Sequence, residues 1–138
     1  MGVTAVMNVT NNFQDNILFI NTEFSGNNRE IASEQVQDVS NCWIPWCTQE
    51  SSFPSKHLQI IDTSSEKVLW YIWQCAGPDG DHVRYSQNGF QPPAQSNQIP
   101  GTSQVDGPRT LVLDQEGNIS AQVISTADVE ADSVYQVA

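Results

Sequence analysis

Apolar residues along this chain alternate with polar ones or gather in short runs, and Asn, Gly, Pro or Ser bounds each run. A period of two is the mark of a strand with one buried face. The opening Val3-Thr4-Ala5-Val6-Met7-Asn8-Val9-Thr10 sets Val3, Ala5, Met7 and Val9 on one face. After the Asn11-Asn12 turn signal, Ile17-Leu18-Phe19-Ile20 predicts a second strand, and residues 35–39 a weaker third. His57-Leu58-Gln59-Ile60-Ile61-Asp62 and residues 67–75 are the next two, joined by the polar Thr63-Ser64-Ser65-Glu66. Within the second of these, Val68-Leu69-Trp70-Tyr71-Ile72-Trp73 carries large side chains at every position, which predicts a central strand covered on both faces.

Gly77-Pro78-Asp79-Gly80 is a strong turn, and His82-Val83-Arg84-Tyr85 returns as its hairpin partner. A second hairpin joins Thr110-Leu111-Val112-Leu113 to Ile119-Ser120-Ala121-Gln122-Val123 through Asp114-Gln115-Glu116-Gly117-Asn118. Residues 134–137 suggest a final edge strand, and residues 127–137 fit a helix or a strand. Between the hairpins, residues 91–108 hold four of the seven prolines and almost nothing apolar, which predicts a long surface loop, either functional or mobile. No repeat of solenoid or trefoil type is present. The expectation is an all-β fold, a single-domain antiparallel β-sandwich of short strands with hairpin turns over residues 1–138.

Composition narrows the function. Sixteen acidic residues against five basic ones give a net charge of −11. Phosphate-backbone binding draws on Lys and Arg, so nucleic acid is excluded as a partner, and purely electrostatic docking on anionic lipid is disfavoured. Asn and Gln make up roughly a fifth of the chain, a share that suits disorder. Four Trp, five Phe and three Tyr supply the buried area that argues instead for a folded core. Met1-Gly2-Val3 lacks the basic and apolar regions of a secretory leader, and no apolar run reaches membrane-spanning length. Val6 stands where a myristoylation motif needs Ser or Thr. The expected location is therefore cytoplasmic, or outside the cell by an unconventional route.

Three cysteines, Cys42, Cys47 and Cys75, leave open a short Cys42–Cys47 disulfide or free buried thiols. Too few partners exist for a four-ligand zinc site, and the spacing misses the redox motif, so no metal is expected. The segment Asn41-Cys42-Trp43-Ile44-Pro45-Trp46-Cys47 reads as a loop whose two tryptophans are either core plugs or a ligand platform. The acidic turns around Asp79-Gly80-Asp81 and Asp114 to Asn118 place oxygens as calcium loops do, but hairpin turns need the same residues for backbone reasons. Nucleophile elbows, phosphate loops and dinucleotide fingerprints are absent, which predicts no cofactor and no enzyme. His57 and His82 read as surface or pairing residues. The sequons at Asn8 and Asn118 would be used only in a secreted chain.

Leu58-Gln59-Ile60-Ile61-Asp62, a polar link, then Lys67-Val68 leading into Tyr71-Ile72-Trp73-Gln74-Cys75, resembles the aegerolysins, small acidic β-sandwich proteins of fungi and bacteria that bind membrane lipids. Gln74 stands where that family has an acidic residue, and Ala76-Gly77 where it has Pro-Trp-Gly. The resemblance implies a β-sandwich and transfers no functional residue.

Many Asn, Gln and Ser for directional hydrogen bonds, with Trp and Tyr for flat apolar contact, are what sugars require of a binding protein. The expectation is a non-enzymatic lectin of the defence type, with a glycan or glycoconjugate as partner. Its candidate contacts are Trp43 and Trp46, with Tyr85, Asn88 and the 91–108 loop as a second set. The alternative is a membrane-lipid binder, alone or as one member of a pore-forming pair, and homo-oligomerisation is left open by the composition.

Overall fold

The computed structural model describes residues 3–124, and the proposed elements over 127–137 lie outside them. A four-stranded sheet is formed by β1 (Thr4–Asn11), β4 (Gln35–Trp43), β9 (Gly107–Leu113) and β10 (Ile119–Val123), in the order β10-β9-β1-β4. A six-stranded sheet is formed by β2 (Ile17–Asn21), β3 (Arg29–Ile31), β5 (Leu58–Asp62), β6 (Lys67–Gly77), β7 (Gly80–Ser86) and β8 (Asn97–Gln98), in the order β3-β2-β5-β6-β7-β8. Both contribute to one buried core, Val6, Val9, Leu111 and Leu113 from the first and Phe19, Ile60, Ile72 and Val83 from the second. The fold is all-β.

Pairing departs from the antiparallel expectation at one place. β1 and β9 run parallel, while every other pair of named strands is antiparallel. A parallel pair needs a crossover rather than a hairpin. Here the whole six-stranded sheet lies in the chain between the two strands and serves as that crossover.

The face assignment of β1 also needs correcting. Simple alternation put Val3, Ala5, Met7 and Val9 together, yet Val6 and Val9 enter the core, Met7 is half-buried and Val3 is exposed. The register against both neighbours shifts between Val6 and Asn8, and this irregularity breaks the period of two. On β4 the same irregularity is wider: Val6 faces Cys42 and Asn8 faces Asp38, which leaves Ser40 and Asn41 bulged at φ 62 and 53.

β6 lies between β5 and β7 and is buried on both faces from Ile72 to Cys75. Ile72 points into the inter-sheet core. Trp73 and Cys75 point outward into a second cluster with Phe53 and Cys47, covered in part by Phe90. The Phe53 ring meets Trp73 edge-on at 5.2 Å and stacks on His57 at 4.2 Å. A short 3-10 turn, Glu50–Ser55, carries Phe53 into this layer.

The proline-bearing stretch after β7 is tied down rather than free. Ile99 is buried in the core, with its N–H bonded to the Val83 carbonyl. The Ser103 carbonyl accepts from Val83, and Thr102 and Pro100 bond Ala121 on β10. This stretch therefore stitches β7 of one sheet to β10 of the other. Gly101, at φ 90, permits the contact, since a Cβ there would press on the Ala121 carbonyl oxygen.

All three cysteines are free thiols and buried. Cys42 belongs to the inter-sheet core, and Cys47 to the outer cluster. Burial pushes the Cys42 thiol up to about 12. Native protein is expected to give no reaction with a thiol-specific chromogenic disulfide, and denatured protein three thiols per chain. In urea titrations, Trp73→Ala should cost about 4 kcal/mol as a buried aromatic truncation. Trp43→Ala, at an exposed position, should stay within about 0.5 kcal/mol of wild type.

Candidate functional site

The tryptophan segment is not a loop throughout. Trp43 ends β4, 59% exposed. Beyond it the chain runs beside Gln74 of β6, where Gln74 N–H donates to the Pro45 carbonyl and Cys47 N–H to the Gln74 carbonyl. β5 pairs with β6 only as far as Leu58 opposite Ile72, so residues 45–47 take up the ladder where β5 has ended. The Gln74 side chain also donates to the Ile44 carbonyl at 2.5 Å. Trp46 is thereby held half-buried, and it shares a shallow cleft with Trp43, Val3 and the Glu23–Lys56 ion pair of 3.0 Å.

Tyr85 and Asn88 come together in a different cleft of about 350 Å³. One wall is an aromatic pair, Trp70 and Tyr85, with ring centroids 5.1 Å apart and planes tilted by 35°. β6 and β7 place the two rings side by side, and the Trp70 indole N–H donates to the Gly117 carbonyl at 2.7 Å, which fixes its ring. The other wall is polar: Ser86, Gln87, Asn88, Gln91, Gln95 and Asn97. Asn97 stands opposite Tyr85 in the β7–β8 ladder. The 86–89 turn is tight, because Gly89 N–H donates to Ser86 Oγ at 3.1 Å and the Ser86 hydroxyl donates back to the Gly89 carbonyl. Gly89 sits at φ 102.

The side-chain amides of Gln87, Asn88, Gln91, Gln95 and Asn97 make no hydrogen bond within the described residues, and no charged side chain lines this cleft. Neighbouring polar groups behave differently: Gln98 donates to Asp79 at 2.8 Å, and Ser96 donates to the Pro93 carbonyl at 3.0 Å. The far side of the Trp70–Tyr85 pair opens onto a second hollow of about 270 Å³, lined by Pro100, Asp114, Asn118, Ile119 and Ser120. Of the cleft's residues, the sequence pointed to Tyr85, Asn88 and, within the 91–108 loop, Gln91, Gln95 and Asn97. It missed Trp70, which reads as core in an all-apolar strand, and Ser86 and Gln87.

The charged turns have internal work. Arg84 is fully buried on β7 and donates to both Asp79 oxygens at 2.8 and 2.9 Å and to the Gly80 carbonyl at 2.9 Å. The guanidinium holds the Asp79 carboxyl well below the usual carboxylate range. Asp114 Oδ1 accepts the backbone N–H of Asn118 at 2.8 Å and of Glu116 at 2.9 Å, which lowers its pKa as well. Both carboxylates close their turns, as Asp does at such positions.

His82 is a pairing residue, bonded to Ser103 Oγ and the Asp79 carbonyl, each at 3.0 Å. His57 is buried. Its Nδ1 must carry the proton, since it faces the Phe53 carbonyl at 2.5 Å, and its Nε2 accepts from the Gln59 amide at 2.8 Å.

Comparison with family models, with curated proteins and with solved structures found no match. No helix among the described residues is long and apolar enough to cross a membrane.

Burial lowers the pKa of His57 below its ordinary 6.5, against the Phe53 carbonyl, which acts the other way. The unfolded chain then binds a proton that the folded chain refuses just below pH 6.5. Its contribution to stability is complete above that pH and is lost as pH falls through the interval. Urea midpoints followed from neutral to mildly acid buffer should fall in wild type and fall less steeply in His57→Gln.

Proposed function

We propose that this protein is a non-enzymatic carbohydrate-binding protein that takes an uncharged glycan against the Trp70–Tyr85 pair. The observation that carries this reading is the convergence of five unengaged side-chain amides on an aromatic wall, in a cleft without a charged group. A sugar ring has an apolar C–H face and a belt of hydroxyls that both donate and accept. Side-chain amides also do both, so each can pair with a hydroxyl in either sense. An aromatic face supplies the apolar contact with little entropy to lose. Trp70 is braced by its bond to Gly117 and Asn97 is set by the β7–β8 ladder, so part of the cleft is ordered before a ligand arrives. The absence of a lining cation favours neutral over sialylated or sulfated sugars.

Purified protein on a printed-glycan array should retain a related set of neutral glycans. Asn88→Ala removes one exposed amide and should weaken binding several-fold, as expected for a lost hydrogen bond of about 1 kcal/mol. Tyr85→Ala should weaken it roughly tenfold or more, corresponding to about 1.4 kcal/mol, with an unchanged far-UV spectrum. A blank array with folded protein, together with sedimentation on lipid vesicles, would replace the reading with lipid binding.

A further inference from the structure

The opposite end of the sandwich carries another cleft, of about 220 Å³, beside the start of β1. Its walls are the rings of Phe24 and Trp43, 64% and 59% exposed. Its floor is a pair of buried amides: Asn21 Nδ2 donates to Asn27 Oδ1 at 2.9 Å, and Asn27 Nδ2 donates to the Val39 carbonyl at 2.8 Å. Asn21 Nδ2 also donates to Cys42 Sγ, Asn21 Oδ1 accepts from the Glu23 N–H, and Asn27 Nδ2 also donates to the Ser40 carbonyl, so both amides are engaged within the fold and make a rigid floor. The rim is Glu23 with the β4 bulge, Ser40 and Asn41, both in the left-handed region. Two consecutive non-glycine residues held there store strain, and strain of this kind gathers at binding sites. The bulge turns Ser40 and Asn41 toward the cleft that Trp43 closes.

We propose that the Phe24–Trp43 cleft is a second sugar-binding site, so that one chain holds glycans at both ends and cross-links them. The proposal rests on the glycan reading above and adds a site to it. Flat apolar walls on a rigid floor, with the Asn41 amide and the Ser40 hydroxyl at the rim, match a sugar ring. Glu23 lines the cleft, and the two nearby cations are engaged, Lys56 by Glu23 and Arg29 by Ser40 Oγ and the Gly26 and Asn28 carbonyls, which disfavours phosphate or sulfate as the occupant. Ala5 of β1 stands opposite Trp43, while Asn11 stands opposite Leu113, next to the β9–β10 turn on which Trp70 leans. Six strand steps of about 3.3 Å separate the two ends by roughly 20 Å. Ligands at the two sites cannot touch, and a glycan-bearing surface can meet each end.

The test uses the four indole N–H signals of the intact chain in a nitrogen-edited proton spectrum. The titrant is the free oligosaccharide of the strongest array spot, and turbidity is followed with a protein carrying many copies of that oligosaccharide. The Trp43 and Trp70 signals should both move, saturating at two oligosaccharides per chain, and the multivalent conjugate should precipitate. Trp43→Ala should abolish precipitation and keep the Trp70 shift, and Phe24→Ala, exposed and away from the strand ladder, should weaken the Trp43 shift at least tenfold. Movement of Trp70 alone, at one oligosaccharide per chain without precipitation, overturns the second site and leaves the glycan reading intact. Movement of Trp43 with lipid vesicles and not with sugar overturns it in favour of lipid. A blank array removes both readings together.

Discussion

Burial of β6 on both faces is the constraint from which the remaining architecture follows. A strand that carries Ile72 on one side and Trp73 on the other cannot lie at the surface of a two-layer sandwich without a third covering. The four-stranded sheet covers the first face. The second is covered by the 44–57 segment, with Phe53 pressed edge-on against Trp73, and by Phe90 from beyond β7. Large aromatic side chains supply most of the area in this outer layer, and their loss would expose the hydrogen-bonded strand beneath.

That outer layer also explains the polar groups buried with it. Arg84 faces the same side of the sheet as Trp73, its direct neighbour across the β6–β7 ladder, and so it enters an apolar layer with its charge. Its bidentate bond to Asp79, partly open to solvent, lets the guanidinium keep that charge. The same turn that reverses the chain between β6 and β7 therefore supplies the counter-ion. Gly77 is small for a matching reason, since a Cβ there would strike the Arg84 guanidinium and the Asp79 carboxylate. His57 meets the opposite condition: stacked on Phe53 with no carboxylate beside it, it is held neutral.

The proposed recognition surfaces sit where this frame runs out of regular pairing. One lies where β7 passes into the 86–97 connection, whose amides face the Trp70–Tyr85 pair; the other lies at the β4 bulge. Regular ladder positions have their backbone groups matched and their side chains committed to a face. Turns and bulges free side chains from that alternation.

The alternation of apolar residues determined, without help from the fold, which segments become strands. β2, β5, β7, β9 and β10 fall on the runs that pattern marks, because burying one face of a pleated strand demands that spacing. The six-residue apolar run likewise marked β6 as a strand covered on both faces, which holds at Ile72 and Trp73, while residues 68–71 are half-buried. Tertiary structure decided what depends on distant neighbours. It set β1 parallel to β9, broke the alternation of β1 at the bulge, and paired the short β3 and β8, whose own sequences carry little strand signal. It drew Trp43 out into solvent while holding Trp46 half-buried, two tryptophans that local sequence cannot tell apart. It also brought Trp70 beside Tyr85 and the amides of the following connection. The physical reason is common to these cases. Local pattern records how a segment shares itself between apolar and polar surroundings, whereas a site is made by which segments meet, and that depends on loop closure and packing across the whole chain.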